Sequence, residues 1–131
     1  MPVELKILAL GAVLLLIHIF AAVRFKTRQY GHDWNVGARD AELPPLNPVA
    51  GRLARAQANF QETFPVAIVA LLGVVVADQT SAITAIGGWI WLACRTIYLP
   101  LYAMGVPVVR TVVFGISIGG LGMVLWPLLL G

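Results

Sequence analysis

Arg52, Arg55, Asn59 and Glu62 recur at spacings of three and four inside Gly51–Pro65, a polar stretch that runs without a turn signal into an apolar one. At roughly 100° per residue on a helix they fall within about an 80° arc, so two guanidiniums, an amide and a carboxylate share one face. Arginine forks bind carboxylates and phosphates, and a carboxylate binds an ammonium, so such a face suits an anion or a zwitterion. Two further arginines stand within apolar runs. Arg95, Tyr98 and Tyr102 share a face at spacing i, i+3, i+7. Arg110 shares one with Ser117 and Leu121, with Phe114 about 40° away.

The chain that positions these groups has 131 residues, 60% of them hydrophobic and 11% charged. Soluble domains carry roughly 25% charge, so this composition indicates an integral, multi-pass membrane protein, read as one domain over 1–131. The expected architecture is all-α, a bundle of four membrane helices at about 5–24, 48–77, 82–104 and 107–130 with a polar connection over 25–47. Ile7–Val23 resembles a signal peptide in length, but Arg24, Lys26 and Arg28 follow it where a small-residue cleavage site would stand, so it is read as a retained helix. His18 within it is expected to serve a neighbouring helix rather than chemistry. Asn47 and Pro48 suit the cap and first turn of the second span. The purely apolar part of that span, Phe64–Ala77, is too short to cross alone, so the polar stretch before it must supply the missing turns at membrane depth. Pro65 should kink the helix there. Asp78–Ser81 and Gly105–Pro107 read as tight connections.

The formal charge is +3, and its placement says more than its sum. Arg24, Lys26, Arg28, Arg39, Arg52 and Arg55 lie in or beside the first connection, whereas the second carries only Asp78. The positive-inside rule puts the first and third connections in the cytoplasm and both termini on the non-cytoplasmic side, as for a bacterial inner-membrane protein. Basic residues beside membrane segments give no nucleic-acid face. The single Cys94 excludes an internal disulfide and reads as packing; no metal site is expected. The tryptophans, Trp34, Trp89, Trp91 and Trp126, read as packing or interfacial anchors, and Gly115, Gly119, Gly120 and Gly122 as close helix contacts.

A buried arginine keeps its proton, so Arg95 and Arg110 need a carboxylate, backbone carbonyls or a bound anion. With Glu62 as the only carboxylate read at that depth, the excess of arginines marks an anion site. The competing reading is that the arginines reach phospholipid headgroups and Glu62 closes one ion pair. For Arg52, at the helix start, both readings stand.

Arg55-Ala56-Gln57-Ala58-Asn59-Phe60-Gln61-Glu62-Thr63-Phe64-Pro65 resembles the second-helix signature of the MAPEG family, the membrane-associated proteins of eicosanoid and glutathione metabolism. The pattern R-A-x-x-N-x-x-E-x-x-P at a membrane-helix start carries the resemblance, and Arg95-x-x-Tyr98-x-x-x-Tyr102 and Arg110 extend it. The resemblance implies a homotrimer of four-helix subunits that holds glutathione between neighbours near the cytoplasmic side. It assigns glutathione, as co-substrate, to Arg55, Gln57, Asn59 and Glu62 of the second helix and to Arg95, Tyr98 and Tyr102 of the third. It makes Arg110 the group that stabilises the thiolate, with Arg24 or Arg28 as a further basic contact. Thr63 stands where some members carry tyrosine and Phe114 near where others do, so phenol hydroxyls of the pattern are missing here.

The implied function is a membrane-embedded, glutathione-dependent transferase or peroxidase that turns glutathione thiolate on a lipophilic small-molecule electrophile drawn from the bilayer lipids. The alternative is a non-enzymatic trimeric scaffold, or an accessory subunit, whose basic pocket binds a lipid headgroup. Residues 25–47 are expected to form either a lid or a packed cytoplasmic loop.

Overall fold

A computed structural model describes residues 1–131, and every regular element is helical: α1 (Val3–Tyr30), α2 (His32–Val36), α3 (Pro48–Val76), α4 (Ala82–Ala103) and α5 (Val108–Leu130). All but α2 are long and apolar enough to cross a membrane. The chain is thus an all-α bundle of four spans. α1 runs past the expected end at residue 24 to Tyr30, because nothing between Arg24 and Tyr30 breaks a helix until Gly31, whose φ of 97° lies in the region open to glycine.

Local chemistry explains the ends. Asn47 accepts a hydrogen bond from the backbone N–H of Ala50 at 2.9 Å, and Pro48 opens α3. α3 closes on Asp78 at φ 55°, where the N–H of Gln79 reaches the carbonyl of Val74 and that of Asp78 the carbonyl of Val75. α4 closes in the same way on Gly105 at φ 74°, with Val106 bonded to Leu101 and Gly105 to Tyr102. Both are helix stops in which one left-handed residue turns the chain back to satisfy the last carbonyls. Between them, Ser81 and Thr84 form a reciprocal capping box at the start of α4.

The spans do not form a closed square. α3 and α4 both touch every other span, whereas α1 and α5 flank them without meeting. α4 and α5 come closest: a Cβ on Gly87 would lie 2.6 Å from the Gly120 carbonyl, and one on Gly120 would lie 2.6 Å from the Gly87 carbonyl. Of the four α5 glycines expected at helix contacts, only Gly120 makes one inside the chain. Gly115, Gly119 and Gly122 face open space. Ile7, Leu14, Phe60, Phe64, Leu71, Trp91, Leu121 and Val124 form the core, with Phe60, Phe64 and Trp91 stacked on one another. Phe20, Val69, Val76, Val108 and Trp126 point outward, as suits a surface solvated by lipid or covered by other membrane helices.

The 25–47 connection is anchored rather than loose. Gln29 holds Pro45 and Asn47, Tyr30 donates to the Pro44 carbonyl, and Asn35 donates to Thr27. Arg39 lies over the Trp34 ring at 4.5 Å.

Candidate functional site

The polar arc of α3 is divided by the fold. Arg52 turns back along the bundle, and its Nε donates to the Ala103 carbonyl at 2.9 Å, which places a cation on the C-terminal end of α4. Arg52 is therefore a tether between helices. Arg55 and Glu62, in contrast, are exposed on the outer surface of α3. Seven residues separate them, about 10 Å along the helix. The Arg55 guanidinium lies back along its own helix, where a Cβ on Gly51 would approach Nη1 to 3.3 Å. Gln57 and Asn59 are half-buried, and the Asn59 Oδ1 is enclosed with no hydrogen-bond partner.

The polar face of α4 grades from inside to outside. Arg95 is fully buried, Tyr98 is 4% exposed and Tyr102 is half-buried. The Arg95 guanidinium lies 4.4 Å from the Tyr98 ring centre, 5.2 Å from that of Phe60 and 5.3 Å from that of Phe114. Three rings from three helices thus surround one cation, and none of its three nitrogens has a hydrogen-bond acceptor. The quadrupoles of the rings offset part of the cost of burying the charge. Tyr98 meets Tyr102 edge-on at 5.5 Å, and Arg110, half-buried on α5, lies 4.4 Å over the Tyr102 ring. Arg95, Tyr98, Tyr102 and Arg110 therefore form one continuous ladder.

Of the residues singled out by the sequence, the fold brings Arg95, Tyr98, Tyr102 and Arg110 into contact, with Phe60 and Phe114 as walls. Arg55 and Glu62 stay apart from that ladder on an open surface. The chemistry offered is asymmetric: fixed positive charge rising out of the core, and, apart from it on the outer surface, an arginine and a carboxylate able to hold opposite charges on one ligand. A cleft of about 400 Å³ lined by Phe25, Arg28, Gln29, Asn47, Pro48 and Val49 opens where α1 ends and α3 begins, so Arg28 has a recess beside it that Arg24 lacks.

One buried polar group, Glu4, escaped the sequence reading, and the expectation for another, His18, is corrected. Glu4, 2% exposed, accepts from Thr84 Oγ1 at 3.1 Å and joins α1 to the first turn of α4. The buried carboxylate of the bundle is thus Glu4, at the end far from Arg52, and not Glu62; the signal was its place in the first turn of a span, ahead of the apolar run. His18 makes no hydrogen bond to a neighbouring helix: both ring nitrogens are unpartnered, and the ring stacks on Phe60 at 4.9 Å.

The model of the MAPEG family matches residues 7–130. No curated protein and no solved structure matches the chain.

Proposed function

The chain belongs to the MAPEG family, and on that premise we propose that it is a glutathione-dependent transferase or peroxidase acting at the membrane. Membership makes it an integral membrane protein of the glutathione- and eicosanoid-metabolism type; the activity, the ligand and a homotrimeric assembly are what we propose. The observation that carries it is the outward exposure of Arg55 and Glu62 on α3, opposite charges with no counterpart in their own chain to face.

Glutathione carries two carboxylates, an ammonium and a thiol. Arg55 suits a carboxylate and Glu62 the ammonium, while Asn59 and Gln57 offer amide groups alongside. Tyr102 and Arg110, which stand apart from Arg55 and Glu62 within one subunit, would complete the site from α4 and α5 once the neighbouring subunit closes it, with Arg28 as its basic contribution. A free thiol titrates near pH 8.5, so a fixed guanidinium is needed to favour the thiolate at neutral pH. Arg110 is half-buried, held by the Tyr102 ring and free at its edge, which fits it for that role. Thiolate sulfur then attacks a lipophilic electrophile that reaches the site through the bilayer.

The test is calorimetric binding of glutathione in detergent together with conjugation of a generic electrophile. Arg55→Ala should weaken binding about tenfold or more, the loss of one charge-assisted pair. Arg110→Ala should leave binding within about threefold and lower turnover roughly a hundredfold. Protein that neither binds glutathione nor turns over with it excludes this reading. A phospholipid held by Arg55 and Glu62 in its place would establish the scaffold alternative.

A further inference from the structure

Arg95 is the least explained charge in the molecule. It is fully enclosed, so its guanidinium does not reach the outer surface where Arg55 and Glu62 lie. Its nitrogens have no acceptor, and its surroundings are the rings of Phe60, Tyr98 and Phe114. Rings hold a cation in place without cancelling its charge, whereas a carboxylate partner would cancel most of it. The field of Arg95 is therefore unscreened, and the ladder gives it direction: steps of 4.4, 5.5 and 4.4 Å lead through Tyr98 and Tyr102 to Arg110.

We infer that Arg95 is a positioning residue of the thiol site, a buried second positive charge that favours the thiolate from behind the Tyr98–Tyr102 pair without touching the ligand. The inference rests on the glutathione reading given above and deepens it. Arg110 and Arg95 then divide the work. Arg110 approaches the sulfur and is wetted; Arg95 is dry, and its field passes through the edge-on Tyr98–Tyr102 pair instead of water. The ionisable groups around it are few. His18 comes from α1 against the far member of the cage, Tyr98 and Tyr102 from α4, and Arg110 from α5, while α3 presents Phe60 and keeps Arg55 and Glu62 outside. No carboxylate from any helix packed against Arg95 offsets it.

The experiment follows the ultraviolet absorbance of bound glutathione thiolate against pH in detergent, for wild type, Arg95→Met, Arg95→Gln and Arg95→Lys. The affinity for S-methylglutathione, which has no thiol to ionise, is measured alongside. Both neutral variants should move the thiolate midpoint up by roughly one pH unit, the effect of a unit charge across about 12 Å at an effective dielectric near 20. Arg95→Lys should restore it, and S-methylglutathione affinity should stay within about threefold in all three. An unchanged midpoint in the neutral variants overturns the inference. So does a loss of S-methylglutathione affinity of about tenfold, since Arg95 would then be a direct ligand. Unfolded neutral variants beside a folded Arg95→Lys also overturn it, because the charge would then serve stability alone. Wild-type protein that binds no glutathione removes the glutathione reading and this inference together.

Discussion

Arg52, Arg55 and Glu62 share one arc of one helix, yet Arg52 ends as a tether between helices while Arg55 and Glu62 stand on the outer surface. Periodicity fixes the angle between side chains on a helix, but not the rotation of that helix in the bundle or the path of a long side chain. Arg52 could be read as a headgroup anchor or an anion ligand because its acceptor, the Ala103 carbonyl, lies 51 residues away. The same distance in sequence hid the Glu4–Thr84 bond, across 80 residues, and the aromatic cage around Arg95, whose walls come from three helices. What was legible was local: Asn47 as a cap, Pro48 after it, and Arg95 as a charge too deep to reach water. Arg52→Ala removes a charged donor from a carbonyl at the helix end, where water can partly replace it. We expect a loss of about 1 kcal/mol, a fall of roughly 3–5 °C in thermal unfolding, with glutathione affinity unchanged.

The spans themselves were readable because hydropathy and stop residues act within a few positions. Contacts between spans were not, and the glycines show why. Gly115, Gly119, Gly120 and Gly122 look alike in sequence, yet a Cβ meets the α4 backbone only at Gly120. Small residues permit close approach but do not say which helix approaches. Gly87→Ala would drive a methyl against the Gly120 carbonyl at 2.6 Å and the Met123 Cβ at 2.7 Å, neither of which is the end of a flexible side chain that could yield. It should cost about 2 kcal/mol or more, read as a lowered midpoint of unfolding in detergent. Gly119→Ala, with nothing within 4 Å, should lie within about 0.5 kcal/mol of wild type in the isolated subunit. A larger loss in the assembled protein would place the Gly119 face against a partner.

Across the whole molecule, the order of the helices matters as much as their contacts. α1 with α3, and α4 with α5, are neighbours in sequence and in space, and α3 with α4 joins the two pairs. Such pairing of successive spans was implied by the four spans. The bundle's openness was not, because outward-facing apolar residues look like core residues in a sequence whose solvent is lipid. α4 is the least apolar of the spans and carries Arg95. Phe60 is made before α4 and Tyr98 with it, but Phe114 arrives only with α5. During synthesis, then, the ribosome delivers α4 to the bilayer with an arginine whose cage lacks one wall. An arginine at the centre of a helix penalises insertion by about 2.5–3.5 kcal/mol. A chain stopped after Pro107 should therefore leave α4 poorly inserted and quickly degraded, whereas Arg95→Leu in the same truncated chain should restore insertion in a glycosylation-mapping assay. The last helix would then act as a checkpoint in biogenesis, completing the membrane residence of the helix before it.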